Sequence, residues 1–259
     1  MTECAVRAEG ITKIFNQGRP NEVCALTDVD LAIEPGEFVS LIGPSGCGKS
    51  TLLRVIASLT EPTEGQISVY GKTAEQARLD RDYGMAFQHS GLFDWRSVSR
   101  NIELPLELMG WSKDKRQKRA GEMLELVKLG QFANHHPAEL SGGMRQRVAI
   151  ARALSFNPSL LLMDEPFGAL DEMTREHMQT ELLRIWSETG TTVVFVTHSI
   201  PESVYLSTRV VVMSARPGRI STEIPVDLGG RNADTRESPG FFAKITEVRE
   251  ALRAVEGAE

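Results

Sequence analysis

Four stretches of the chain carry apolar residues almost without a break: EFVSLIG (37–43), LLLMD (160–164), TTVVFVTH (191–198) and RVVVMSA (209–215). A strand with one wet face alternates apolar and polar positions. These do not alternate and are rich in β-branched residues, so the pattern predicts central strands of a parallel sheet covered on both faces. Helical patterns lie between them, over 49–58, 172–188 and 200–207. That order implies an α/β sheet with crossover helices.

The rest of the chain reads differently. Residues 5–35 predict two or three antiparallel strands joined by the turn-rich NQGRPNE, and GQISVYGK (65–72) predicts a strand ending in a turn at Gly71. Residues 89–157 lack strong strand signals. They hold KDKRQKRAGEMLELVKL, whose Met123, Leu124, Leu126, Val127 and Leu129 fit one helical face. A helical insertion into the α/β core follows, within a main unit expected over 5–228. The tail, 229–259, carries a polar loop and then FFAKITEVREALRAVE, with Phe242, Ile245, Val248, Leu252 and Val255 on one stripe, which predicts a docked amphipathic helix.

Composition narrows the partners. With 259 residues, 41 % hydrophobic and 25 % charged, the chain can bury a full core. A net charge of −6 argues against nucleic acid as a partner, because backbone binding needs clustered Lys and Arg. The three cysteines, Cys4, Cys24 and Cys47, have no metal-like spacing and read as reduced thiols. Around Glu3 and Glu9 there is no apolar leader core, and no apolar run approaches the roughly 18 residues of a spanning helix. The chain is expected inside the cell, free to sit against a membrane protein.

GPSGCGKST (43–51) matches G-x-x-x-x-G-K-[ST] immediately after an apolar strand. Gly43, Pro44, Ser45, Gly46, Cys47 and Gly48 form a loop whose glycines free backbone N–H groups to wrap phosphates. The helix that opens at Lys49, Ser50 and Thr51 adds its positive dipole end. Lys49 is expected to reach the β- and γ-phosphates and Ser50 to offer a hydroxyl to Mg²⁺. A thiol at Cys47 predicts sensitivity to thiol reagents. A nucleoside triphosphate follows, but kinases, GTPases and motor ATPases share this loop.

SLLLMDEP (159–166) ends an apolar strand in two carboxylates. Asp164 at the strand's carboxyl end is placed to hold Mg²⁺. Glu165, one residue on, is placed to polarise a water for attack on the γ-phosphate. VFVTHS ends another buried strand in His198, a candidate for the γ-phosphate and for holding Glu165 in line. Gln88, closing YGMAF, is a candidate for Mg²⁺ or the attacking water.

A second phosphate-like feature lies in LSGGMRQR (140–147). Ser141, Gly142 and Gly143 offer a hydroxyl, bare N–H groups and a helix dipole. One active site has no use for two cradles unless one serves another chain. If two copies face head to tail, each turn closes over the other's ATP.

The set GPSGCGKST, Gln88, LSGGMRQR, LLLMDEP, GALD and His198, in this order and spacing, resembles the nucleotide-binding subunit of an ABC transporter over about residues 5–220. The resemblance implies an ATP-hydrolysing P-loop fold with a parallel-sheet core, an N-terminal antiparallel β-subdomain and an inserted helical subdomain. It implies Mg²⁺ and a homodimer. It also implies two integral-membrane permease subunits at the cytoplasmic face of the membrane, fed by an extracytoplasmic solute-binding protein. Asp171 in GALD falls at the implied dimer interface, and Phe15 in ITKIF at the position that stacks on adenine. The family's usual signature has Gln where Met144 stands here. AFQHSGLFDWRSVSRNIELPLELMG (86–110) is similar to the ATPases of nitrate, sulfonate and taurine importers. Leu92, Phe93 and Trp95 there read either as a groove for a permease helix or as core of the helical insertion. Importers of thiamine or riboflavin precursors, and soluble cassettes of DNA repair or translation, are the alternatives. The latter usually carry a long coiled coil or two cassettes, and this chain shows neither.

Other features read plainly. His135 and His136 lack further ligands at metal spacing. SKDKRQKR (112–119) reads as a solvated helix face.

Overall fold

The computed structural model describes residues 4–168 and 170–256. Glu3, Ala169 of GALD and the last residues of the tail, 257–259, lie outside them. In chain order the elements are β1 (Val6–Phe15), β2 (Val23–Ile33), β3 (Phe38–Ile42), α1 (Lys49–Ile56), β4 (Glu64–Val69), β5 (Lys72–Thr73), α2 (Ala74–Asp80) and β6 (Tyr83–Ala86). There follow α3 (Val98–Leu108), α4 (Lys113–Leu126), α5 (Gly142–Leu154), β7 (Leu160–Asp164), α6 (Glu172–Thr189) and β8 (Thr192–Val196). The chain closes with α7 (Ile200–Leu206), β9 (Arg209–Met213), β10 (Ile220–Pro225) and α8 (Pro239–Glu256).

The unbroken apolar runs become the middle of a six-stranded sheet, ordered β10-β9-β3-β8-β7-β6, in which only β10 is antiparallel. Successive side chains of a strand point to opposite faces. Phe38, Leu161, Met163, Phe195 and Val212 therefore enter one apolar core, while Val39, Leu41, Leu160, Leu162 and Val211 enter a second on the other face. Because both faces are dry, apolar residues dominate these strands, and the one polar residue inside β3, Ser40, is buried against the Ser207 hydroxyl. Each fully buried large side chain contributes roughly 1.5–3 kcal/mol.

β1, β2, β4 and β5 form a separate antiparallel sheet, as the polar turn at 16–22 predicted. The stretch between β6 and β7 is helical. Ser97, Ser141, Asp171 and Ser199 cap α3, α5, α6 and α7, each side chain accepting a backbone N–H of the first turn. α5 begins among the helices, but its far end packs on the sheet. A Cβ at Gly84 of β6 would lie 2.3 Å from the Ala153 carbonyl oxygen.

Three expectations need correction. α4 stops at Leu126, because Lys128 turns the backbone to φ +54. Val127 and Leu129 still reach the core, but from the turn beyond the helix. In the tail helix Phe241 is buried and Phe242 is 56 % exposed, so the apolar stripe starts one residue earlier than expected. The basic face at 112–119 is not wholly solvated. Arg119 donates to the Ser155 carbonyl at 2.7 Å, capping the end of α5, and Arg116 lies 3.7 Å from Glu103.

Candidate functional site

The parallel strands end on one side in loops, and at such carboxyl ends α/β sheets gather their ligands. β3 runs into residues 43–48, β7 into Glu165 and β8 into His198. With β6 leading to Gln88, these loops wall a cleft of about 430 Å³ that also takes Phe15, Lys49 and Ser50.

The loop's shape depends on its glycines. Gly46 and Gly48 hold φ at +78 and +100, and a Cβ on Gly48 would come within 2.6 Å of Leu26 Cδ2. Gly43 and Cys47 are buried, while Ser45 and Gly46 are open to the cleft. Lys49, 7 % exposed, donates from Nζ to the carbonyls of Gly43 at 2.7 Å and Pro44 at 2.9 Å. Its cation is thus aimed along the loop before any anion arrives. Thr51 lines the same cleft one residue past Ser50. The Cys47 thiol is 1 % exposed, so the reagent sensitivity expected from the sequence requires the loop to open first.

Ser50 Oγ donates to Asp164 Oδ1 at 2.7 Å, joining α1 to the end of β7. Burial pushes the Asp164 carboxyl above its ordinary range, and the Ser50 hydrogen bond pulls part of the way back. Glu165 adopts φ +46 and its side chain lines the cleft. There Gln88 Nε2 donates to Glu165 Oε2 at 3.4 Å, and His198 Nδ1 lies 3.2 Å from the same oxygen. A hydroxyl, a carboxylate and an amide oxygen are hard donors of the kind Mg²⁺ takes. Among the described residues no group of three or more His, Cys, Asp or Glu is placed to hold a metal. His136 Nδ1 instead lies 3.2 Å from the Asp94 carbonyl oxygen.

Phe15, 39 % exposed, ends β1 at the cleft rim, with Lys13 Nζ 5.2 Å from its ring centroid. Sequence reasoning did not reach three other cleft residues, Val23, Ala25 and Arg216. Val23 pairs with Phe15 across the hairpin, so strand register would have found it. Arg216, whose Nε donates to the Gly46 carbonyl at 3.4 Å, has no local signal; it arrives through the contact of Gly218 with Leu26.

The second cradle is elsewhere. Ser141 and Gly142 are exposed at the head of α5, and none of 141–144 lines the cleft. Ser141 Oγ accepts from Met144 N at 3.3 Å, and a Cβ on Gly142 would meet nothing within 4 Å. The Met144 side chain packs toward the main core. Asp171 is exposed and accepts from Thr174 N at 3.0 Å, which holds its carboxyl below the usual range. Of the aromatic group after Gln88, Leu92 packs on the core, whereas Trp95 is 74 % exposed with its ring 4.8 Å from that of Phe93.

Such a loop after β3, with acids ending β7 two strands away in the same parallel sheet, defines a P-loop nucleoside triphosphatase fold. The family model described as ABC transporter matches residues 26–168. The taurine import ATP-binding protein TauB of Rhizobium johnstonii is 48 % identical over 235 residues, 90 % of this chain and 89 % of the relative. The nitrate import ATP-binding protein NrtD of Synechocystis sp. is 44 % identical over 249 residues, 93 % of each chain. A solved structure of a dimeric ATP-binding cassette, in a post-hydrolysis state bound to ADP and Pi, gives a TM-score of 0.79 at 38 % identity, covering 86 % of this chain and 99 % of that one. The chain belongs to the ABC transporter family, as an ATP-binding, ATP-hydrolysing subunit.

Proposed function

We propose that this ATPase works as a homodimer beneath two membrane permease subunits and powers uptake of a small solute such as nitrate, a sulfonate or taurine. An extracytoplasmic binding protein delivers the solute, and the ATPase sits peripherally on the cytoplasmic face. Its similarity to the taurine and nitrate import ATP-binding proteins supports this solute range. Residues 5–228 are taken as the ATPase unit, with 89–157 as its helical part and 229–259 as an appendage.

In this reading Phe15 stacks on adenine, the 43–51 loop cradles the phosphates, and Lys49 offsets charge on the transferred group. Ser50, Asp164 and Gln88 would hold Mg²⁺, which would supply positive charge to offset that developing on the phosphates. Glu165 takes a proton from the attacking water, and His198 keeps Glu165 and the γ-phosphate in line. The partner copy closes the site with Ser141, Gly142, Gly143 and Met144, while Asp171 lies at the joint. Exposed Trp95 with Phe93 forms part of the surface offered to the permease.

The observation that carries the proposal is the separation of the two cradles: the cleft holds Lys49, Glu165 and His198, while Ser141 and Gly142 face solvent outside it. Glu165→Gln is expected to slow hydrolysis by about 10²-fold or more. With Mg²⁺ and ATP it should elute as a dimer in size-exclusion chromatography with light scattering. Unchanged turnover would remove Glu165 from its role. A monomer under these conditions, with or without permease, would overturn the shared-site arrangement.

A further inference from the structure

We infer that the C-terminal segment sets the position of His198 through a buried chain of hydrogen bonds, making Arg236, Gln179 and Glu202 positioning residues of the ATPase. The inference rests on the reading of His198 given above.

The chain can be followed atom by atom. Arg236, in the short 3-10 helix Ala233–Glu237 before α8, donates from Nη2 to Gln179 Oε1 at 2.6 Å. Gln179, on α6 and 3 % exposed, donates from Nε2 to Glu202 Oε1 at 2.9 Å. Glu202, on α7 and 7 % exposed, takes a short hydrogen bond at Oε2 from the Thr197 hydroxyl. Thr197 Oγ1 in turn accepts from Ser199 N at 3.0 Å. His198 thus stands between two residues whose positions are fixed by one buried carboxylate.

Two further observations connect the chain to the cleft and to the tail. Glu202, Thr197 and Ser199 share a cavity of about 70 Å³ with Glu165 and His198, so the carboxylate lies directly behind the candidate base. At the other end the Arg236 guanidinium stacks 3.6 Å from the Tyr205 ring centroid, and Phe241 of α8 meets the same ring edge-on at 6.4 Å. The tail therefore grips α7, the helix that His198 leads into, by its side chains as well as through Gln179.

The chemistry favours a fixed geometry over a loose one. A buried carboxylate must keep its donors, because each lost hydrogen bond leaves charge in a poorly solvating interior. Two neutral donors, Thr197 and Gln179, make the direct contacts to the Glu202 carboxylate, while Arg175, lining the same cavity, adds a weaker pull from a distance. Gln179 orients its amide only while Arg236 holds its oxygen, and polarisation along the chain strengthens each link. Cutting the chain at Arg236, at the rim, frees Gln179, then Glu202, then the Thr197–Ser199 backbone.

The test combines kinetics with the imidazole resonances of the full-length protein. Arg236→Ala and Glu202→Ala are expected to lower kcat for ATP by about 10-fold, the scale of a sub-ångström misplacement, with KM little changed. Glu202→Gln retains an acceptor and a reversible partner for Thr197, and is expected to restore most of the rate. In a His198→Ala background, Arg236→Ala should cost nothing further. The His198 resonance, assigned by its loss in His198→Ala, should shift in Arg236→Ala while those of His135 and His136 stay. Should Glu202→Ala fail to fold, Arg236→Ala carries every arm. An unmoved His198 resonance, or equal losses with and without His198, overturns the inference. His198→Ala turning over at the native rate would instead sink the role assigned to His198, and the resonance shift would still report the linkage.

Discussion

The phosphate loop and the Ser-Gly-Gly turn have the same parts, glycines and a hydroxyl at a helix start, yet the protein treats them oppositely. The loop is finished within one chain: Lys49 is held by two carbonyls, and Ser50 by Asp164. The turn at 141–143 is capped by Ser141 alone and faces water. One is preorganised for its ligand. The other is built and left open, as suits a surface that acts only when a second molecule arrives. The contrast teaches that local motif and functional site are different things, and it can be broken from either side.

The largest effect is expected on the finished side. Lys49→Ala should reduce ATP turnover by about 10²-fold, the scale for removing one preorganised charge donor, and weaken nucleotide binding measured by calorimetry. Gly142→Asp attacks the open side. Its Cβ meets nothing within 4 Å, so the fold should tolerate it and the isolated chain should bind nucleotide normally. A carboxylate facing a γ-phosphate costs several kcal/mol, so ATP-driven dimerisation seen by light scattering should vanish. If that variant still dimerised, the open turn would have some other purpose.

Smaller effects sharpen the comparison through the fold. α5 carries the turn at its head and locks onto β6 near its end, where Gly84 leaves no room for a Cβ. Gly84→Ala should lower stability by about 1–3 kcal/mol in denaturant titration, with the phosphate loop's nucleotide affinity affected less than dimer formation. The smallest effect concerns Asp164. Burial raises its pKa, so its contribution to stability is full below the ordinary carboxylate range and is lost as pH climbs through the raised value. At neutral pH the native chain bears the cost of that buried charge. Without magnesium, Asp164→Asn should therefore melt slightly above wild type near neutrality and lose the lead in acid; with magnesium and ATP it should hydrolyse poorly.

Much of this was legible in the sequence, and for physical reasons. Strands wetted on neither face lose the apolar/polar alternation, so β3, β7, β8 and β9 announced themselves. The loop's glycines and lysine are needed at fixed spacing because backbone N–H groups must converge on one phosphate. The Ser-Gly-Gly turn marked where α5 begins. By contrast, Phe241 and Phe242 are chemically identical neighbours, and which one faces inward depends on the angle at which α8 meets α7. The end of α4 at Leu126 turned on a single residue adopting positive φ, which lysine does not advertise.

By itself, the amino-acid order determined the α/β class, the phosphate loop, the paired acids and the existence of two cradles, since each depends on neighbours along the chain. Only the tertiary structure decided that Gln88, Glu165 and His198 meet at one oxygen, that Arg216 reaches the loop, and that Arg236 connects to Thr197 through Gln179 and Glu202. Those meetings join segments far apart in sequence. Their partners are fixed by how sheet, helices and tail pack, and no local pattern encodes a distance across the core.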